Sequence, residues 1–284
     1  MVYKNIRQKE DSHNKIMIIV LLSFIFFILA FIAYISFFSD NVEIDRSKKG
    51  KTGTLCPLVN EKAVPNNHSV ILIDTTDSLD SLQLASLESN VSDIVASLEP
   101  GDLLSIFTLS GTNTKERTPL FEKCLPRDGS DANALTENQK KIRKVYISEF
   151  EKPLLHSLKS IGEEAKKAKV SPIFERIQFI AVASFDHWKT EGNRNLYIFS
   201  DMLQNTPSYS MFKLKDNNYE ALKKSSYGIK VKANLSDVDV EIYRFNNHPE
   251  LQKNGNSLFW QEYFKDAGGR LQLLKNLGSD TLKE

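Results

Sequence analysis

Four oxygen-bearing side chains could grip a hard cation if the fold brings them together. Asp74, Thr76 and Ser78 recur two apart in the stretch Ile73-Asp74-Thr75-Thr76-Asp77-Ser78. Alternate residues of an extended turn point to one side, so these three would face the same way. Asp201 ends a second apolar run, Asn195 to Ser200. Two carboxylates held close repel each other, and a pKa rises unless a cation sits between them. An oxygen-only ligand set suits Mg²⁺ first, with Mn²⁺ or Ca²⁺ as alternatives. Each residue also has a plainer role. Asp74, Ser78 and Asp201 could cap helices by accepting from first-turn amides, and Ser171 could be the N-cap of a helix opened by Pro172.

The elements around these residues must place them at one rim. Val70-Ile71-Leu72-Ile73 is a continuous apolar run, as expected of a strand covered on both faces. Leu79 to Leu98 carries leucine, isoleucine and valine at three- and four-residue steps, a helical period closed by Glu99-Pro100-Gly101-Asp102. Leu103 to Leu109 reads as a second strand, and Pro119 to Leu125 as its hairpin return. Thr136 to Ala168 is charged and helical, with a break or kink expected at Pro153. Asn195 to Ser200 is another buried-type strand. Val238, Val240 and Ile242 alternate with polar residues, which predicts a strand wet on one side. Leu258 to Ala267 is a last helix, closed by Gly268-Gly269. Strands alternating with helices predict an α/β fold: a doubly wound, mainly parallel sheet with helices on both faces. In such a sheet ligands bind beyond the carboxyl ends of the strands, where Asp74 and Asp201 would lie.

The order Asp74-Thr75-Thr76-Asp77-Ser78, with Ser171-Pro172-Ile173 and Phe199-Ser200-Asp201-Met202, resembles the von Willebrand factor type A family, the integrin I-like domains. The family signature is Asp-x-Ser-x-Ser after the first strand, a mid-domain Thr and a late Asp. Thr76 and Ser171 replace Ser and Thr here and keep their hydroxyls. Met202 stands where the family often has glycine. The resemblance spans roughly His68 to the C-terminus. It implies a metal-ion-dependent adhesion site formed by Asp74, Thr76, Ser78, Ser171 and Asp201. It further implies that a carboxylate of a partner protein completes the metal's coordination.

Other chemistries lack their residues. Lys and Arg number 37 against 36 Asp and Glu, so no basic excess points to nucleic acid. No phosphate-binding glycine loop points to a nucleotide, and no G-x-S-x-G elbow to a hydrolase serine. A phosphoester hydrolase using Asp74 as nucleophile would want an acid two residues on, where Thr76 stands. The five histidines, His13, His68, His156, His187 and His248, form no recognisable ligand spacing. Phe259, Trp260, Tyr263 and Phe264 on the last helix suit core packing, with a partner surface as the alternative. The chain is therefore expected to bind and not to catalyse.

Ahead of this domain, Ile16 to Phe38 runs without a charged residue. As a helix it would reach roughly 35 Å, enough to cross a hydrocarbon core of about 30 Å. It is longer than a signal-peptide core and lacks a small-residue cleavage site. The expected order is a cytoplasmic tail (1–15), a transmembrane helix (16–38), a stalk (39–67) and the domain (68–284). Basic residues in the tail and acidic ones just after the span favour a domain outside the cytoplasm, on the inner membrane of an envelope or at a cell surface. Cys56 and Cys124 could pair in an oxidising compartment or remain separate thiols. The expected function is that of a membrane-anchored protein-binding module. A metal-dependent phosphoester hydrolase and a structural subunit with a vestigial metal site are the alternatives.

Overall fold

His68–Asp74 forms a strand, β3, in which every residue is buried, as its unbroken apolar run requires. The computed structural model describes residues 53–110, 118–164, 168–213 and 218–277. The expected tail, the apolar run 16–38 and the first part of the stalk lie outside the described residues. Among the described residues no helix is long and apolar enough to cross a membrane.

Before β3, Leu58–Val59 (β1) and Lys62–Ala63 (β2) make a small antiparallel hairpin. After it come helix α1 (Ser81–Ala96), β4 (Leu103–Leu109) and β5 (Phe121–Cys124). Then follow α2 (Gln139–Val145), α3 (Lys152–Glu164), α4 (Ile173–Ile180) and β6 (Arg194–Ser200). The remainder is α5 (Tyr219–Lys224), α6 (Ser226–Lys230), β7 (Val238–Phe245), α7 (Asn254–Asp266) and β8 (Arg270–Leu277). The main sheet is ordered β5-β4-β3-β6-β7-β8. Only β5 runs antiparallel, against β4. From β3 the chain winds outward one way through β4, and from β6 the other way through β7. The winding therefore reverses between β3 and β6, the place where open α/β sheets form a crevice.

Alternation along β3 divides the core. Val70 and Leu72 face one layer with Ile177, Trp260 and Phe264. Ile71 and Ile73 face the other with Leu87, Val91, Phe150 and Leu154. Helices thus cover both faces, and the aromatic residues of α7 are core. Phe259, Trp260 and Phe264 are at most 1% exposed.

Three expectations need correction. Strand β7 is half-wet only at Asp239 and Glu241; its second half is buried, because Tyr243 and Phe245 join the α1 layer. Strand β8 was not expected. It lies at the sheet edge with most residues exposed, so it carries neither an apolar run nor an alternation. Residues 53–67, read as stalk, are attached to the domain. Cys56 is joined to Cys124, the Cys124 amide donates to the Thr54 carbonyl (2.6 Å), and both cysteines pack with Leu103 and Trp188. The break expected at Pro153 takes the form of a π-helical turn, Tyr146–Glu151, just ahead of the residue that lacks an amide donor.

At the opposite end of β3 from the crevice, His68 is fully buried. Its Nε2 lies 3.0 Å from Ser105 Oγ, which donates on to Glu122 Oε2 (3.1 Å). Because Ser105 gives its hydrogen to Glu122, Nε2 must be the protonated nitrogen, and among the described residues Nδ1 has no partner. Burial, with a smaller push from Arg194, lowers the imidazole pKa to about 3. The sign follows directly. The unfolded chain takes up a proton below the ordinary value of 6.5 and the folded chain does not, so stability is lost as pH falls. Between pH 7 and pH 5 this one group is expected to cost about 2 kcal/mol. Urea midpoints of wild type and His68→Gln at both pH values check it. A variant with the same pH slope as wild type would show that His68 does not carry the effect.

Candidate metal centre

The crevice is lined by three loops at the carboxyl ends of β3, β6 and β7. Asp74 closes β3 and is 5% exposed. Its Oδ1 accepts from the Thr76 amide (2.9 Å) and the Thr76 hydroxyl (2.6 Å). Its Oδ2 accepts from Ser200 Oγ (2.7 Å) and Ser171 Oγ (3.3 Å). Three hydroxyls thus give their hydrogens to one carboxylate; Ser200 Oγ also accepts from the Met202 amide (2.9 Å), while the oxygens of Thr76 and Ser171 have lone pairs to offer another partner.

Asp201 follows β6 and is 6% exposed. The Leu203 amide donates to its Oδ1 (2.9 Å), and among the described residues no donor reaches its other oxygen. Burial pushes the Asp201 carboxyl well above the usual carboxylate range, and the charge of Asp74 pushes it further. Burial also raises Asp74, against the lowering effect of the Thr76 and Ser200 hydrogen bonds. Two buried, mutually repelling carboxylates beside hydroxyl oxygens suit a cation.

The structure brings together Asp74, Thr76, Ser171 and Asp201. It leaves Ser78 out: Ser78 is exposed and makes no hydrogen bond to the group. The expected alternation fails there because the Thr76 amide folds back onto Asp74, an Asx turn that redirects the chain. Helix capping in this loop falls to Asp80, which accepts from Leu82 and Gln83 in a capping box. Ser171 is not the cap of α4. Pro172 occupies that position without a side-chain bond, and the Ser171 hydroxyl turns to Asp74.

Met202 directly follows Asp201. It holds a left-handed φ of 57°, a conformation that costs a non-glycine residue about 1–3 kcal/mol. The Met202 carbonyl accepts from Trp260 Nε1 (2.8 Å) and Asn256 (3.2 Å), which hold the loop in that shape.

Three residues escaped the sequence. Ser200 lies inside β6 and was read only as strand. Asp77 and His248 each offer an atom that, with one from Asp201, lies within 4.8 Å of the others, a grouping able to hold a metal ion. Asn247 Nδ2 donates to Asp77 Oδ2 (3.4 Å) and its Oδ1 accepts from Gln83 Nε2 (2.6 Å), tying the β3 and β7 loops together. The available signal was topological: a strand parallel to β6 delivers its following loop to the same rim.

Comparison of the sequence with protein-family models and with curated protein sequences finds no match. Among solved structures, the chain is similar to an aerotolerance-related membrane protein from Bacteroides fragilis. The identity is 13% and the TM-score 0.34, over 75% of this chain and 92% of that one. It is also similar to a human COPII-coat protein, at 12% identity and TM-score 0.36, over 77% of this chain and 31% of that one. The crevice itself gathers buried carboxylates, hydroxyl oxygens and an imidazole at the switch point of a doubly wound sheet.

Proposed function

We propose that this chain is a membrane-anchored binding module of the von Willebrand factor type A kind, in which a divalent cation at the β3–β6 crevice recruits a carboxylate of a partner protein. The carrying observation is the Asp201 carboxylate. It is buried, it faces Asp74, and among the described residues no donor reaches one of its oxygens. Asp74, Thr76, Ser171 and Asp201 supply the oxygen side of the site, and a position left open on the ion takes the incoming acid group. The Cys56–Cys124 bridge supports a domain outside the cytoplasm, since such bonds persist in oxidising compartments.

Hydrolysis is the weaker reading. Both oxygens of Asp74 already accept two hydrogen bonds each, which blunts it as a nucleophile. Thr76 is a poor general acid.

The test is capture of partner proteins from the host membrane fraction by the full chain in detergent. Binding is expected in Mg²⁺ plus Mn²⁺ and release in EDTA. Asp74→Asn, which keeps the side-chain shape, is expected to weaken capture at least about tenfold. Equal capture by both proteins in both buffers would refute the reading.

A further inference from the structure

His248 stands three residues past the end of β7, and Gln252 fixes its backbone. Gln252, 5% exposed, accepts from the His248 amide (2.8 Å). It donates to the carbonyls of Asp201 (2.8 Å) and Phe245 (2.6 Å). One buried amide side chain thus sets the β7 loop against the β6 loop. On the outer side of the imidazole, Nδ1 lies 3.5 Å from Glu250 Oε1, and the ring meets Phe212 edge-on at 86°. Glu250 stands near enough to accept from Nδ1 after a small movement of its exposed side chain, the kind of partner that orients a metal-bound histidine. Toward the crevice, Asp77 and Asp201 present their carboxylates within 4.8 Å of the imidazole. The Asp201 oxygen that lacks a donor belongs to a side chain more than nine-tenths buried.

We infer that the crevice is built for a first-row transition-metal ion of the Mn²⁺-to-Zn²⁺ series, held by His248 Nε2, Asp77 and Asp201, and not for Mg²⁺. This deepens the cation-dependent docking proposed above and rests on it. Mg²⁺ demands an octahedron of oxygens and gives up its waters reluctantly, so an imidazole adds little to its binding. The later first-row ions accept nitrogen readily, and affinity for a mixed nitrogen–oxygen site rises along the series. Two carboxylates neutralise the ion, and three protein ligands leave positions for water and for a partner's carboxylate.

The experiment uses the untagged full chain in detergent with Co²⁺ as the visible probe. Zn²⁺ is expected to displace Co²⁺ near stoichiometry, whereas Mg²⁺ fails to do so even in large excess. His248→Ala is expected to weaken Co²⁺ and Zn²⁺ about tenfold to a hundredfold while leaving Mg²⁺ affinity within about twofold. Its unfolding midpoint in chelator should match wild type, which separates ligand loss from misfolding. Displacement of Co²⁺ by Mg²⁺ at similar concentration overturns the inference, as does unchanged Co²⁺ affinity in His248→Ala. Should that variant bind Co²⁺ normally while EDTA still releases the partner, the metal class is wrong and cation-dependent docking stands. Should it lose Co²⁺ while the partner stays bound in EDTA, the metal site stands and docking through it fails.

Discussion

Breaking the Cys56–Cys124 bridge is expected to lower the free energy of unfolding by about 4 kcal/mol, the chain-entropy value for a loop of this length. The bridge spans 68 residues and so encloses β1 to β5 and α1, a large share of the sheet. An unfolded chain freed of that constraint gains many conformations. The folded one also loses the anchor of the β1–β2 hairpin. The loss is local in its structural effect, because other bonds hold the following residues. The Asn66 amide donates to Gly101 (3.0 Å) and the His68 amide to Asn193 (2.9 Å). Reduced protein should therefore retain the sheet at moderate denaturant while residues near Cys56 become open to protease. Denaturation with and without reductant, alongside Cys56→Ser/Cys124→Ser, measures the effect. A midpoint unmoved by both treatments would contradict it.

Asp201→Asn is expected to change stability in opposite directions with and without a cation. In chelator the variant should be more stable than wild type, since it removes a buried charge facing Asp74. With free ion at about a hundred times its Kd, wild type should gain about 2.7 kcal/mol from binding and the variant much less. The ranking then reverses. The pH slope in chelator carries a sign opposite to that of His68. A carboxyl whose folded pKa is raised contributes stability below the ordinary 3.8 and loses it as pH rises through the raised value. Removing Asp201 takes away that fall with rising pH, whereas removing His68 takes away a fall with declining pH. Thermal or urea melts in EDTA and in Mn²⁺ test the reversal. The same order of stabilities in both buffers would show that Asp201 does not face a bound ion.

Apolar runs identified β3, β4 and β6 because strands buried on both faces cannot hide their composition. Period and punctuation located α1, although its start moved to Ser81 once Asp80 proved to be the cap. The edge strand β8 was invisible for the converse reason: with one neighbour and a wet surface, its residues are under little compositional constraint. The bridge could be named only as one of two outcomes, since pairing depends on where β5 brings Cys124 relative to residues 54–56.

The same division runs through the crevice. Local spacing was enough to nominate Asp74, Thr76 and Asp201, whose positions at strand ends are written in the chain; Ser171 came only with the resemblance of Ser171-Pro172-Ile173 to a family turn. Local spacing put Ser78 on the same side as Thr76, whereas the Asx turn at Asp74 and Thr76 bends the chain there and Ser78 is exposed. It missed Ser200, Asp77 and His248 because their partners lie far away along the polypeptide. His248 follows Asp201 by 47 positions, and only the parallel register of β6 against β7 lays their loops at one rim. Chain composition thus determined which strands would be buried and which edge would carry acid groups. The side chains that share the crevice, and with them the softness of the ion it would prefer, were decided by the tertiary structure, because hydrogen-bonded register between distant strands is not encoded in any short stretch of sequence.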